Sequence, residues 1–539
     1  MNALRLLLAD KRRRQQGSVL SAVLIIVAFL AIISGALMTE LSTNFLLSTD
    51  LVNRVDTEAT VNSAMEVSLS QLQATQLNAV CPGSSSVSLN GQTAAVSVVS
   101  CAPVVYKGEL PAFKTIASAG GFGLDGGHFN VGGQDEYLVA DSNGNVFAYP
   151  FGLRSPSWSV SLGGSATGPP LGMADGGSNI STLVPMSGPA NNPGCPASCV
   201  ALLSEDVPPT SPRVQLMCFM ASSAAVKARP AAALAFPGVV YFGDTGGNLY
   251  AYSAGENGGC ALNTSRQVPN GEAVVAGPVV MQNGNRDEIY VVTSLGASSH
   301  LLHYSYRNST FSLSDQLALP AQNPVGLAVE RTAAPARLAI TFAGGTVSIV
   351  QIGSGYDPML SRTSSVGSSI IKAPYWCAQC PGGDLVGVGG TNGALYVLDT
   401  NLNPVASFAG PSRIGTTPAA DAAGDWYFAA DDGKVYEVQR PSGGTTMSLA
   451  ATFGAAGEPI SSSPLLGSCP AGICIYLGSM DGNAYLVPID ARDAVLTACI
   501  STSPPACSGT NPRLWTHVQV GVAGNNQMVH VQGWSYYSP

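Results

Sequence analysis

The residues of this chain that could do chemistry are twelve cysteines, five histidines and a set of Asp-Gly and Asn-Gly pairs. Taken two at a time in order, the cysteines fall into six local pairs: Cys81 and Cys101, Cys195 and Cys199, Cys218 and Cys260, Cys377 and Cys380, Cys469 and Cys474, Cys499 and Cys507. Spacing alone does not prove connectivity. An even count in local pairs nevertheless predicts disulfides that close loops, and hence an oxidising compartment. "WCAQC" (376–380) has the spacing of a redox dithiol, which needs a helix N-terminus to depress the thiol pKa. It is followed instead by "PGGDLVGVGG", a turn and then a strand, so a loop staple is expected. "CPASC" and "CPAGIC" stand just before similar strands, and no histidine lies near enough to make metal the better reading. His300 and His303 are three apart, which on a strand puts them on opposite faces. "DSNGN" (141–145) and "DDG" (431–433) read as fragments of a calcium loop, but neither continues to the distal acidic ligand such a loop needs. A tight Asp/Asn-Gly turn accounts for both. No phosphate loop, zinc-binding helix motif or nucleophile elbow is present. The expectation is no catalytic, cofactor or metal site.

The elements around these residues are β-strands. Charged residues make up only 11 %, with 61 Gly and 36 Pro, while apolar residues reach 46 % and recur in short runs. That is the makeup of a turn-rich β protein. A phrase recurs: "YLVADSNGNVFAYPF" (137–151), "VVYFGDTGGNLYAYSA" (239–254), "DLVGVGGTNGALYVLDT" (384–400), "WYFAADDGKVYEVQR" (426–440) and "IYLGSMDGNAYLVPID" (475–490), with weaker copies at 288–305 and 337–353. Each is a strand, a tight turn and a second strand. The turn glycines Gly247, Gly296, Gly345, Gly393, Gly433 and Gly482 are 49, 49, 48, 40 and 49 residues apart. Gly144 lies 103 residues before Gly247, leaving room for a degenerate copy at 199–219. A period near 48 with a hairpin in each copy predicts a β-propeller of four-stranded blades. Eight copies predict eight blades, or seven if the first or the degenerate copy is not a blade. "TGPPLGM", "AGPVVMQ", "TTPAADA" and "SSPLLGS" are expected as innermost strands, and the tail "RLWTHVQVGV…QMVHVQGW" as the strands that close the ring.

"TNGALYVLDT" resembles the repeat of pyrroloquinoline-quinone-type propellers, a family that includes quinoprotein dehydrogenases, an outer-membrane assembly scaffold and pilus-tip adhesins. The resemblance implies the fold over most of 104–539 and says little about function. The family's enzymes stack the quinone between a tryptophan and an adjacent-cysteine disulfide. No Cys-Cys dipeptide occurs here, and Trp158, Trp376, Trp426, Trp515 and Trp534 do not repeat in phase with the blades. No quinone or other cofactor is therefore expected.

The N-terminus is of another kind. Arg5, Lys11, Arg12, Arg13 and Arg14 outweigh Asp10, so residues 1–17 carry +4 of a net charge of −9. The acidic remainder makes nucleic acid a poor partner. Val19 to Met38 is an uncharged run of 20 residues, enough to cross a bilayer, with the basic block on the cytoplasmic side. From Leu41 apolar residues continue at helical intervals (Phe45, Val52, Val55, Ala59, Met65, Leu69 and Leu72) with no Gly or Pro until Pro82, which predicts one helix of about 55–60 residues. Basic leader, Gly17, apolar helix and amphipathic continuation resemble the class III signal of type IV pilins and pseudopilins. The resemblance implies cleavage between Gly17 and Ser18 by a prepilin peptidase and packing of the helix among other pilin-like subunits. The chain departs from major pilins in Ser18, where they carry an aromatic or Met, and in Ala22, where they carry Glu. A subunit without that Glu resembles tip-located minor pilins.

The expected organisation is thus a leader (1–17), a pilin-like transmembrane and amphipathic helix (18–80), a disulfide-closed hairpin over 81–103 turning at Asn90-Gly91, and a propeller over 104–539. The expected role is a non-enzymatic, tip-type minor subunit in the inner membrane or at the cell surface, displaying the propeller to a periplasmic or extracellular ligand. The alternatives are a membrane-anchored propeller scaffold of envelope assembly and a quinone-dependent oxidoreductase. The long loops near 187–198, 204–213 and 499–511 are the candidate binding segments.

Overall fold

In the computed structural model the described residues are helices over 23–42 and 59–68, most of 84–109, strand 118–121, residues 137–149, and 156–537 apart from short intervals, of which 501–512 is the longest. Gly17, Ser18, Val19, Cys81 and Cys507 lie outside them. Helix α1 (Val23–Ser42) is 20 residues long with a mean hydropathy of 2.4 and no part buried in the protein. It is long and apolar enough to cross a membrane. Helix α2 (59–68) buries Thr60, Val61, Ala64, Met65 and Ser68. These lie at the helical spacing of the amphipathic stripe.

The rest is β-structure, and most of it is an eight-bladed propeller. Blades 1 to 7 occupy 118–161, 165–222, 231–267, 273–318, 324–365, 375–409 and 419–454; blade 8 occupies 465–488. Blade 4 shows the plan. Its strands Ala273–Asn283, Arg286–Leu295, Ser298–Arg307 and Thr310–Ala318 are antiparallel neighbours running from the axis to the rim. The degenerate segment 199–219 supplies the outer two strands of blade 2, Ser198–Asp206 and Arg213–Ser222. The middle strands of each blade are buried on both sides, as Tyr137–Ala140 and Leu385–Gly389 are at every position. They are covered by the two adjacent blades, which is why the repeats read as continuous apolar runs rather than alternating ones.

The seams between blades are closed by large side chains set against glycines. Trp426 of blade 7 lies on Gly387 of blade 6, where an added Cβ would stand 2.0 Å from the ring. Gly389 faces Ile414 and Gly243 faces Val274 in the same way. The apolar residues Val226, Val274, Ile370, Ile414 and Ile460, each entering an inner strand four residues ahead of a Pro, are all buried.

Ring closure differs from the sequence expectation. The outer strand of blade 8 is Tyr106–Glu109, paired with Asn483–Pro488. The chain's tail does not close the propeller. Strands Arg492–Ile500, Arg513–Ala523 and Asn526–Tyr537 join the hairpin Ser85–Leu89/Gln92–Pro103 in a separate five-stranded antiparallel sheet. The propeller therefore ends at Pro488, not at the C-terminus. The physical reason is continuity of the ladder. Residues 92–103 pair with 492–500, and the same two segments, a few residues on, pair again as 106–109 with 483–488. Two chains that leave a blade side by side keep their backbone groups satisfied by staying paired. The outer slot is then already filled when the tail is reached.

Candidate functional face

The topology gives the wheel two unlike faces. On one lie the turns between the second and third strands of each blade, together with the crossings from an outer strand to the next inner strand. On the other lie the remaining strand connections. In blade 8 the place of the last of these connections is taken by the passage into the five-stranded sheet, between Pro488 and Arg492 and between Pro103 and Tyr106. The sheet, with helix α2 bonded to it through Ser68 and Ser85, therefore hangs from the second face.

The repeated Asp/Asn-Gly turns build the first face. Asp141 is fully buried, and its carboxylate accepts hydrogen bonds from the backbone N–H groups of Asn143 (2.9 Å) and Asn145 (2.8 Å) and from the Asn145 amide. Asp244 in blade 3 accepts from Asn248 N (2.8 Å), Tyr250 OH (2.9 Å), Ser222 Oγ (2.9 Å) and Ser223 Oγ (3.0 Å). In blades 7 and 8, Asp432 and Asp481 take the hydroxyls of Tyr436 and Tyr485. Gly247 and Gly393, at φ +80 and +85, occupy the left-handed position these turns require. In "DSNGN" and "DDG" the Asp141 and Asp432 carboxylates are engaged by their own turns, and Asp431 pairs with Arg413 at 3.6 Å.

The Glu272, Thr293 and His300 cluster, which the sequence does not announce, stands on this face between blades 3 and 4. Glu272, in the crossing into blade 4, is buried and takes the Thr293 hydroxyl at 2.5 Å and His300 Nδ1 at 2.8 Å. The carboxylate accepts, so the partly exposed ring donates to it from Nδ1. The disulfide Cys195–Cys199 closes the 188–197 loop on the same face.

The opposite face holds a second cluster. Glu288 is almost fully buried in blade 4 and accepts from His303 Nε2 (2.9 Å), Asn283 Nδ2 (2.7 Å), the Ser305 hydroxyl and Arg286 Nε (2.8 Å). His303 stacks on Tyr290 with ring centroids 4.7 Å apart. The two histidines thus engage different carboxylates, as their odd spacing implies. Nothing in the local sequence marks either cluster: the partners come together through strand register across 15 to 28 residues.

Burial alone would raise the carboxyl pKa of Glu288. The hydrogen bonds from Ser305, Asn283 and His303 and the nearby imidazole outweigh it and bring the group below its ordinary value. A depressed carboxylate stabilises the fold above its unfolded pKa, about 4.3, and that contribution is lost as pH falls through the folded value. Burial raises Asp287, with hydrogen bonds from Ala235, Tyr241 and Leu234 only partly offsetting it, so its contribution runs the other way and weakens as pH rises. Glu288→Gln should therefore lower stability at neutral pH and flatten the acid limb. Urea midpoints taken between about pH 3 and pH 7 would show this, and an unchanged acid limb would refute it.

The other predicted residues are dispersed. The loops at 188–197 and 207–212 leave opposite ends of the nine-residue strand Ser198–Asp206, about 27 Å apart by strand rise, so they cannot form one surface. The third candidate, 499–511, falls almost wholly outside the described residues. Cys218–Cys260 joins the outer strands of blades 2 and 3, and Cys377–Cys380 closes a turn on the second face. Cys101 and Cys474 are also disulfide-bonded. The side chains of Cys81, Cys469, Cys499 and Cys507 are outside the described set. Trp376 lies at the seam of blades 5 and 6, where its Nε1 donates to Ala328 O at 3.3 Å, and Trp158 is buried in the outer strand of blade 1. Trp515 and Trp534 belong to the separate sheet. Among the described residues no group of three or more His, Cys, Asp or Glu is placed to hold a metal ion.

No family model and no curated protein matches the chain. Solved structures do. Sqt1 from Saccharomyces cerevisiae matches with a TM-score of 0.55 at 12 % identity, over 72 % of this chain and 99 % of that one. The Dos1 propeller matches with a TM-score of 0.51 at 11 % identity, over 72 % and 96 %. BamB from Moraxella catarrhalis matches at 0.46 and 13 %, over 73 % and 99 %. At these identities the likeness concerns the fold alone: this chain is similar to known β-propellers over about three quarters of its length.

Proposed function

We propose that this protein is a non-enzymatic display subunit: a pilin-like helix, cut between Gly17 and Ser18 by a prepilin peptidase, carries a propeller that binds a periplasmic or extracellular partner. The single observation that supports this reading is the attachment of the five-stranded sheet. It enters the wheel from one face and leaves the other, with the Glu272–His300 pair and the stapled 188–197 loop, pointing away from the sheet. A rigid face built from loops of many blades suits recognition of a macromolecule. The exposed apolar helix α1 suits a bilayer and equally the company of similar helices. The absence of Glu at Ala22 fits a minor subunit at a filament tip, which has no subunit ahead of it.

N-terminal sequencing of the mature chain, from cells with and without a prepilin peptidase, tests this. Ser18 first, only when the peptidase is present, is the expected result. An intact Met1 would replace the reading with a membrane-anchored scaffold of envelope assembly, and a start near residue 37, after the small-x-small exit Ser34-Gly35-Ala36, with an exported protein.

A further inference from the structure

The two ends of the chain meet in one sheet, and the propeller lies between them. Residues 92–103 come from the first fifth of the sequence and 492–500 from the last tenth, yet they are adjacent strands, with Ala94 opposite Ile500 and Pro103 opposite Arg492. Just beyond, the same two segments pair again inside blade 8. No strand ladder links the five-stranded sheet to a blade among the described residues. Among the described residues, Ser448–Gly454 of blade 7 lies next to Gln92–Pro103.

We infer that the chain is two nested units: a self-closed ring, and a split body of helix α2 and sheet that cannot be completed until the last strands of the chain have been made. The ring is complete within 106–488, because its closing strand Tyr106–Glu109 and its last blade both lie inside those limits. The body needs both ends. Before 492–500 arrives, Gln92–Pro103 has only the five-residue strand Ser85–Leu89 for a partner, and an isolated two-stranded hairpin is marginal in water. Ala94, Ala95 and Val96 are buried at three successive positions, so both faces of that strand are covered in the finished protein. The apolar side of α2 is buried as well, and the Ser68 hydroxyl bonds to that of Ser85 on the first strand of the sheet. A chain broken off anywhere in the propeller therefore lacks the three strands that finish the body. Completion of the body reports that the whole ring has been made. This holds for a plain anchor as well as for a filament subunit.

The test uses the full chain, with a site for a specific protease placed in each passage, at 104–105 and at 490–491. After cleavage in detergent, the 106–488 fragment is expected to separate under native conditions and to unfold cooperatively at the temperature of its transition in the uncut protein. The two terminal fragments are expected to copurify until denaturant is added. Separation of the terminal fragments without denaturant, or loss of strand signal from the released ring, would overturn the inference. If the double insertion prevents folding, a single site at 490–491 decides the matter: the nicked pieces should stay together and keep the uncut melting profile. A second variant stopped after Pro488 should keep the ring's transition while residues 59–103 become sensitive to protease. Continued protection of that stretch would equally refute the split body.

Discussion

Replacing Cys218 and Cys260 by serine is expected to cost the propeller about 4 kcal/mol, the chain-entropy value for a loop of this size. The pair spans 42 residues and joins the outer strands of blades 2 and 3. In the unfolded chain it forbids the many conformations in which those strands are far apart. In the folded ring it fixes the seam between those two blades at the rim. Met217 and Ala254 pack against the same apolar cluster as the two cysteines, so serine hydroxyls would also lose apolar contact. The control is Cys195–Cys199, which spans only 4 residues and by the same reasoning stabilises by about 2 kcal/mol. Guanidinium midpoints of the two double-serine variants should therefore rank, with the 218/260 variant lower. Reductant should destabilise the wild type but leave the 218/260 variant little changed beyond the effect of its remaining disulfides. Equal losses from both variants would show that loop entropy is not what this bridge contributes.

The second large effect belongs to the seam between blades 6 and 7. Trp426 is fully buried on Gly387, with Tyr375 edge-on at a centroid separation of 6.1 Å. A methyl at 387 would stand 2.0 Å from Trp426 Cζ3 and 2.6 Å from Cη2, so the indole or the strand must shift. Gly387→Ala should cost about 3 kcal/mol, the upper end for overpacking, because a ring held between two blades cannot rotate away. Trp426→Ala should cost about 4 kcal/mol through the cavity it leaves. Trp426→Phe is expected to be milder than its lost volume suggests, because Trp426 Nε1 is buried without a hydrogen-bond partner among the described residues and the substitution removes that liability. The decisive comparison is the cycle. Gly387→Ala combined with Trp426→Leu should cost clearly less than the two singles added together, because the smaller side chain makes room for the methyl. Additive losses, read from thermal or denaturant unfolding, would mean that the two residues do not share the seam.

Much of this architecture is legible along the chain because it is local and repeated. Gly247, Gly345, Gly393, Gly433 and Gly482 mark tight turns that need a positive φ, and the strands that flank them are buried on both sides. A repeating phrase of that kind has few solutions other than a wheel of blades. The degenerate second blade could be placed from the interval between Gly144 and Gly247. The apolar segment that becomes Val23–Ser42 is equally plain, because length and hydropathy are properties of the segment itself.

What the tertiary structure alone decided is pairing between segments far apart in sequence. "YKGE" at 106–109 is a poor strand by composition, yet it closes the ring; the tail over 513–537 is a far better strand by pattern, yet it lies elsewhere. Neither outcome follows from propensity. Each depends on which neighbour remains to satisfy a row of backbone groups once every other strand has been placed, and no local pattern records that. The same reason hides the Glu272–His300 and Glu288–His303 pairs, which arise from strand register, and it hides which face of the wheel carries the sheet. Residue type and spacing determined the parts and their number. Ladder continuity, a property of the assembled backbone, determined which ends meet and which surface is presented.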